Sequence, residues 1–313
     1  MELYGYVEVI TACQWRPTEE DDWDILVERR KFDPDDFAAG SPADPMQPPS
    51  YWLFSEEMDQ QWPDLAHDPE SGDVYLVYSH EEVEGNEYRL YYRKGNREYC
   101  GEVTWGQKVS CQKTEGEDEH NGFFPRVDIG RVTVPGYTGL QLIGIAYTGQ
   151  QGNICNVWIN YWPIPGGPPP DMPHNHKIED RNWADHNAGF ATIDIGPPNT
   201  DFAAIAFIQA HSPNWQQAHV TFADSISYSF TYIEQDMCPY QYAAYPSVAI
   251  HQGAPYSASV SFHAWDGVVQ HHWHPAARQV VVRPGGNVQL GDPTIISYDV
   301  HGYWNRAIAW AYD

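Results

Sequence analysis

Two stretches of this chain match each other without a gap. Residues 119–130 read EHNGFFPRVDIG and residues 185–196 read DHNAGFATIDIG, 66 positions further along. Both begin with an acidic residue, His and Asn, and both end with Asp-Ile-Gly. Self-similarity at a fixed spacing indicates a repeat architecture, in which each repeat is one supersecondary unit. We therefore expect a fold built from copies of one small unit.

The register of this match extends to five β-rich segments, which we interpret as the inner strands of five repeats. Four begin with Pro, a residue that suits the first position of a strand. The segments are Pro63–Asp68, Pro125–Gly130, Ala191–Gly196, Pro246–His251 and Pro293–Ser297. An aromatic residue precedes the first four of them: Trp62, Phe124, Phe190 and Tyr245.

Each inner strand is followed by further runs with the alternation and β-branched or aromatic enrichment of strands, and none has a helical period. The predicted second strands are Val74–His80, Leu142–Gly149, Ala203–Ala210, Ser257–Asp266 and Ala307–Asp313. The third are Tyr88–Lys94, Asn156–Trp162, Ala218–Asp224 and Val268–Pro275. The fourth are Val103–Cys111, Lys177–Trp183, Ile226–Glu234 and Gln279–Arg283.

The two ends of the chain complement each other. The fifth repeat stops after two strands, whereas Tyr4–Ala12 and Trp23–Phe32 precede the first inner strand. Sharing one sheet between both ends would close a ring and leave no open edge. The sequence thus predicts an all-β fold, a five-bladed β-propeller of four-stranded antiparallel blades, with a β-sandwich pair as the rival. We expect outer strands of the closing blade in 1–32, a Pro/Asp/Ala-rich connection in 33–55, blades in 56–111, 112–183, 184–234 and 235–283, and the closing inner strands in 284–313.

Composition and charge exclude several classes of protein. The 13 Trp, 21 Tyr, 25 Gly and 25 Pro favour short strands and turns. A net charge of −26 repels nucleic acid and anionic lipid. We find no signal peptide and no apolar run long enough to span a membrane, so no membrane insertion is expected. The five cysteines have no zinc-ligand spacing. An extracellular or cell-surface location is favoured, and a domain from a longer chain or larger assembly stays open.

The repeat unit resembles that of sialidase-type or BNR-repeat propellers. The resemblance rests on the segments from Pro63 to Tyr78 and from Arg89 to Trp105. Their Asp-box survives only as Gly101–Trp105, without its Ser and Asp, and the arginine trio and the Phe-Arg-Ile-Pro motif of sialidases are not matched. The resemblance therefore implies the fold and not sialidase chemistry.

The loops that enter the inner strands of a propeller open on one face around the central channel, where ligands bind by default. Glu119-His120-Asn121 and Asp185-His186-Asn187 are expected on this rim. They could hold a divalent metal ion through His120 and His186 or perform acid/base chemistry. Alternatively, Asn and Asp cap the turns and His only packs. Asp128 and Asp194, at mid-strand, either face a ligand or cation in the channel or hydrogen-bond between adjacent blades.

Aromatic residues near predicted turns form the other candidate surface. Their flat faces suit sugar rings, although packing between blades is the competing explanation. They are Trp62, Trp183, Trp215, Tyr245, Trp265 and Trp304. The His271-His272-Trp273-His274 run suggests a metal cluster, but alternate strand residues face opposite sides, and we interpret these histidines as solvated or packed.

No nucleophile elbow, Walker loop, Rossmann glycine pattern or HExxH motif is present. The leading hypothesis is a non-enzymatic recognition module that binds a glycan or a protein partner on the rim, with no required cofactor. The alternatives are a glycan-active enzyme, either a glycoside hydrolase or a polysaccharide lyase, and a structural subunit of a larger assembly. In the enzyme, the acid and base would come from the two triplets, Asp128 and Asp194.

Overall fold

The computed structural model describes residues 7–33, 48–83, 87–97, 102–111, 121–134, 137–152, 154–164, 176–178, 188–196, 203–212, 215–223, 235–236, 242–251, 257–266, 272–283, 287–292 and 294–295. Every regular element in these residues is a β-strand. Among the described strands, all pairs are antiparallel except for one parallel pair, Gln216 with Tyr242. The all-β class predicted from the strand patterns is confirmed.

The N-terminal sheet contains three strands in the order β1-β2-β3. These are β1 (Val7–Trp15), β2 (Asp24–Phe32) and β3 (Ser50–Phe54). We expected residues 33–55 to contain only a connection, and β3 corrects that expectation. Trp52 and Phe54 of β3 pack edge-on against Trp105 of the next sheet, so tertiary contacts stabilise a strand too short to show periodicity.

The first and second sheets follow in chain order. The first contains β4 (Gln60–His67), β5 (Val74–Val83), β6 (Glu87–Arg97), β7 (Val103–Trp105) and β8 (Val109–Ser110), with β7 and β8 both pairing with β6. The second contains β9 (Asn121–Val134), β10 (Tyr137–Gln151), β11 (Ile154–Pro163) and β12 (His176–Ile178). The strand expected at Lys177–Trp183 is described only as far as Ile178.

The remaining nine strands form one hydrogen-bonded sheet, in which the parallel Gln216–Tyr242 pair joins two antiparallel halves. We call these halves the third and fourth sheets, and each repeats the order of the first two. The third contains β13 (Ala188–Ile195), β14 (Ala203–Ser212), β15 (Trp215–Ala223) and β16 (Gln235–Asp236). The fourth contains β17 (Tyr242–Ile250), β18 (Ser257–Asp266), β19 (His272–Arg283), β20 (Asn287–Leu290) and β21 (Thr294–Ile295). The predicted strand Ile226–Glu234 lies outside the described residues.

Two predictions at the C-terminal end were wrong. Val268–Pro275 and Gln279–Arg283 were expected as two strands, but His272–Arg283 is one continuous strand. Pro293–Ser297 was expected as a fifth inner strand, yet Thr294 and Ile295 pair with Ala277 and Ala276 of β19, on the side opposite β18. Asp292 precedes this segment, so it lacks the aromatic residue that marks the other four.

The hydrophobic core lies between neighbouring sheets. Tyr75 and Val77 of the first sheet pack with Ile143 and Ile145 of the second. Equivalent clusters join the second sheet to the third, the third to the fourth, and the N-terminal sheet to the first. The first, second and third sheets thus pack against a neighbour on both faces, the layered packing expected for stacked repeats.

The first strands β4, β9, β13 and β17 contact one another in that order. Gly130 of β9 permits the close approach, because a Cβ there would lie 2.2 Å from the carbonyl oxygen of Ile195 in β13. β1 runs in the direction opposite to β4. The turn that joins β1 to β2 contacts the start of β4, where the amide of Gln60 donates to the carbonyl of Trp23, so β1 ends where β4 begins. We call the end where β4, β9, β13 and β17 begin the mouth.

Candidate ligand-binding site at the mouth

The four first strands share a β-bulge close to the mouth. In each strand an aromatic residue and the Pro or Ala after it oppose a single residue of the second strand. That opposing residue is a buried aromatic in every sheet: Tyr78, Tyr147, Phe207 and Phe262. A bulge redirects a side chain out of the normal alternation of a strand. The repeated aromatic-Pro or aromatic-Ala dipeptide of the sequence is therefore a repeated bulge.

The aromatic residue of each bulge has a left-handed backbone conformation. The φ angles are 53° for Trp62, 52° for Phe124, 54° for Phe190 and 49° for Tyr245. Large side chains seldom adopt this region, which costs about 1–3 kcal/mol per residue. Such strain concentrates at ligand-binding sites, and here it recurs at one register in four sheets.

These four aromatic rings form a continuous surface, which we call the aromatic cap. Ring centroids are 4.5 Å apart for Trp62 and Phe124, 4.6 Å for Phe124 and Phe190, and 6.1 Å for Phe190 and Tyr245. Phe190 is 42% exposed and Tyr245 is 37% exposed. Tyr88, at 5.7 Å from Trp62, extends the surface outward over the first sheet.

A cavity of about 390 Å³ adjoins the aromatic cap. Phe124, Phe190 and Tyr245 form part of its wall, and Ala12 of β1 also lines it. Its polar lining comes from the residue that follows each bulge, one from every first strand: Asp64, Arg126, Thr192 and Ser247. The site thus combines aromatic faces with an acid, a guanidinium and two hydroxyls at one level.

Asp64 is held in place by the neighbouring strand. Its carboxylate accepts a hydrogen bond from the amide of Val127 at 2.8 Å. Burial raises the pKa of Asp64, and the nearby Arg126 charge and the Val127 amide partly oppose that rise. The cavity therefore contains a carboxyl group that retains its proton at higher pH than an exposed Asp does.

Asp128 and Asp194 also bridge neighbouring sheets. Asp128 accepts from the amide of Ile195 at 2.8 Å, and Asp194 accepts from the amide of Ile250 at 2.5 Å. Both side chains thus make the bonds between blades that were one of the two alternatives considered for them. Each carboxylate thus accepts from a backbone amide of the next first strand, and buried backbone donors require such a partner.

Asp128 and Asp194 interact with each other. Burial raises the pKa of both carboxyls. Burial, followed by the negative charge of Asp128, raises the pKa of Asp194 to about 7. The pair therefore shares a proton near neutral pH, because two adjacent carboxylates resist simultaneous ionisation.

The structure describes only part of the two predicted triplets. The Asn121 side chain accepts a hydrogen bond from the amide of Tyr88 at 3.1 Å, which joins β9 to β6. Glu119, His120, Asp185, His186 and Asn187 lie outside the described residues, as do Trp183 and Trp304. Trp215 and Trp265 are described as strand positions in β15 and β18.

Several residues of the site were absent from the sequence-based candidates. Phe124 and Phe190 complete the aromatic cap, and Arg126, Thr192 and Asp64 line the cavity. The aromatic residue before Pro or Ala was visible in four repeats. This aromatic residue predicts the strand register, but the sequence pattern does not predict the bulge that turns its ring toward the mouth.

The described residues also bear on metal binding and membrane insertion. Within the ranges given above, no group of three or more His, Cys, Asp or Glu residues is placed to hold a metal ion. His120 and His186, the weak metal candidates, lie outside those ranges. The described part of the chain has no helix capable of crossing a membrane. His274 is buried on β19.

Sequence comparison finds no matching protein family and no matching curated protein. The chain is similar in structure to an exo-1,5-α-L-arabinanase from a bovine ruminal metagenomic library, with 11% identity and a TM-score of 0.45 over 92% of this chain and 98% of that chain. It is also similar to an α-L-arabinofuranosidase from Lactobacillus brevis, with 8% identity and a TM-score of 0.49 over 92% and 95%.

A third similar structure is a Cellvibrio cellulosa α-L-arabinanase complexed with arabinohexaose, with 11% identity and a TM-score of 0.40 over 91% of this chain and 96% of that chain. These neighbours are glycoside hydrolases with β-propeller folds, and the sialidase or BNR type inferred from the sequence receives no support from them. At these identities and TM-scores, the similarity does not establish an activity for this chain.

Proposed function

We propose that this chain is a five-bladed β-propeller that binds a carbohydrate at the aromatic cap. Four consecutive sheets with contacting first strands support four blades. The N-terminal sheet supports a fifth, because β1 runs toward the mouth, opposite to β4, as a second strand would. The closing of the ring by the C-terminal segment stays a prediction from the sequence.

The aromatic cap is the observation that supports a carbohydrate as the ligand. Exposed rings offer flat apolar faces, and Asp64, Arg126, Thr192 and Ser247 offer donors and acceptors beside them. A sugar presents the same combination of an apolar C–H face and hydroxyl groups. A purely structural role would leave two strained aromatic residues, Phe190 and Tyr245, exposed to solvent without a physical reason. Arabinohexaose in one similar structure agrees in chemistry, although its TM-score lends this no weight.

Glycoside hydrolysis is the second candidate function, and Asp64 is the observation that favours it. Hydrolysis of a glycosidic bond requires a proton-bearing carboxyl and a second carboxylate. Asp64 lines the cavity and its raised pKa suits a general acid. Asp128 and Asp194 are not part of the cavity lining, so in this proposal the second carboxylate comes from Glu119 or Asp185. The named activities of the similar structures also correspond to hydrolysis.

A glycan array probed with the wild type and with Phe190→Ala tests the binding proposal. We expect a defined set of glycans to bind the wild type and to lose at least tenfold in affinity with the variant, because an exposed stacking face disappears. The His120→Ala/His186→Ala double variant reports separately on the predicted triplets. An array with no bound glycan, or equal binding by Phe190→Ala, would contradict the proposal.

Hydrolysis is tested with the glycans that bind. Release of reducing ends by the wild type and its loss in Asp64→Asn would establish the second candidate. Binding without any release, at enzyme concentrations that saturate the glycan, would leave carbohydrate recognition as the function. Asp292→Asn is a suitable control because Asp292 is exposed, lies between β20 and β21 and is not part of the cavity lining.

A further inference from the structure

Arg126 differs from the other arginines of this chain in its pairing. Within the described part of the chain, its guanidinium forms no ion pair, and its hydrogen bond runs from Nη1 to the carbonyl of Pro125 at 3.1 Å. A guanidinium has five N–H donors, so most of those on Arg126 are unused. Six other described arginines each pair with an acidic side chain: Arg29, Arg30, Arg89, Arg93, Arg97 and Arg131.

The unused donors of Arg126 are accessible from the cavity beside the aromatic cap. Arg126 follows the bulge of β9, is partly exposed and lines this cavity. Its Nε and Nη2 atoms, which donate no hydrogen bond to the described residues, are not buried. These two atoms lie on one edge of the guanidinium plane, the edge that binds a carboxylate through two parallel hydrogen bonds.

Asp64 lines the same cavity but does not occupy this edge of Arg126. The carboxylate of Asp64 accepts a hydrogen bond from the amide of Val127 at 2.8 Å. Burial raises the pKa of Asp64, and the charge of Arg126 opposes that rise without a hydrogen bond or ion pair between the two side chains. The guanidinium edge therefore stays available to a ligand in the cavity.

We propose, on the basis of carbohydrate binding at the mouth, that the bound carbohydrate contains a uronic acid whose carboxylate pairs with Arg126. A uronate carries its carboxylate at the edge of the sugar ring. The ring can therefore lie against the exposed faces of Phe190 and Tyr245 while the carboxylate enters the cavity. A sulfate ester also offers anionic oxygens, but a planar carboxylate matches the planar guanidinium edge better.

Titration calorimetry with matched oligosaccharides tests this assignment. The probes are galacturonate and glucuronate trisaccharides, their methyl esters, and a sulfated galactose trisaccharide. The methyl ester keeps the sugar ring and removes only the charge. We expect the wild type to bind at least one uronate about tenfold or more tighter than its ester, and tighter than the sulfated sugar. Added salt should weaken binding of the uronate and leave the ester unchanged.

Arg126→Gln should abolish the preference for the uronate and leave affinity for the ester unchanged, because the aromatic cap stays in place. Arg126→Lys keeps the charge but loses the planar edge, so it should retain part of the preference, and it provides a second variant in case Arg126→Gln does not fold. Arg131→Gln is the matched control. Arg131 lies on the same strand, is 40% exposed, pairs with Glu70 and is not part of the cavity lining.

The outcomes separate this inference from the proposed function. Equal affinity of the wild type for uronates and their esters would overturn the acidic ligand and leave carbohydrate binding intact. Tighter binding of the sulfated sugar would overturn the carboxylate. Equal weakening of uronate and ester by Arg126→Gln would show that Arg126 only supports the structure of the mouth. Absence of any bound glycan, on the array as in the titrations, would contradict the proposed function itself.

Discussion

The Asp128–Asp194 pair makes the stability of this protein depend on pH in a specific direction. The pKa of Asp194 rises from its ordinary value of 3.8 to about 7 in the folded protein. A carboxyl with a raised folded pKa binds more protons in the folded than in the unfolded state. Its stabilising contribution is therefore complete below about pH 4 and is lost as pH rises from about 4 to about 7.

Asp194→Asn should remove this loss. The amide keeps the shape of the side chain and can still accept from Ile250, but it carries no charge beside Asp128. The difference between 3.8 and about 7 corresponds to about 4 kcal/mol, at ~1.4 kcal/mol per pKa unit. Partial access of solvent to the pair lowers the expected gain to about 2–4 kcal/mol at pH 8. At pH 4.5 the two proteins should differ by less than about 1 kcal/mol, since Asp194 is then largely protonated in the folded protein.

Urea unfolding followed by circular dichroism at several pH values between 4.5 and 8 measures this difference. Asp292→Asn also removes one negative charge, from an exposed position, and serves as the control. A lower stability of Asp194→Asn than of the wild type at pH 8 would contradict this prediction. So would a difference between the two proteins that is the same at pH 4.5 and pH 8.

Two further predictions concern packing and burial. Gly130→Ala should lower the free energy of unfolding by about 2–3 kcal/mol or more, because its Cβ would collide with the backbone of Ile195. In Gly106→Ala the new Cβ would lie 3.4 Å from its nearest neighbour, so the free energy of unfolding should change by less than about 1 kcal/mol. Urea unfolding of both variants compares them. Cys111 is a buried free thiol whose pKa is raised by burial, so iodoacetamide at pH 8 should modify exposed Cys13 well before Cys111 in the folded protein. Mass spectrometry of the alkylated peptides checks this order, and equal rates would contradict the burial of Cys111.

The repeated first strands could be predicted because their signal is local. Aromatic-Pro before an alternating run placed β4, β9 and β17, and the corresponding Phe190-Ala191 placed β13. The same template was misleading at Pro293, where no aromatic residue precedes the segment. The bulges could not be predicted from alternation, since a bulge breaks the period on which such predictions depend.

The candidate site was only partly predictable for a related reason. Sequence spacing indicated that Asp128 and Asp194 share a register, but not that each accepts an amide from the next sheet. That bond depends on how closely two sheets approach, which Gly130 decides at one contact.

Binding of the best array glycan to the wild type, Phe190→Ala and Tyr51→Ala, measured by titration calorimetry, tests the central claim most directly. Both variants remove an exposed aromatic ring, one from the aromatic cap and one from β3 of the N-terminal sheet. The account predicts at least a tenfold loss of affinity for Phe190→Ala and none for Tyr51→Ala. Unchanged affinity in Phe190→Ala would show that the aromatic cap is not the carbohydrate site.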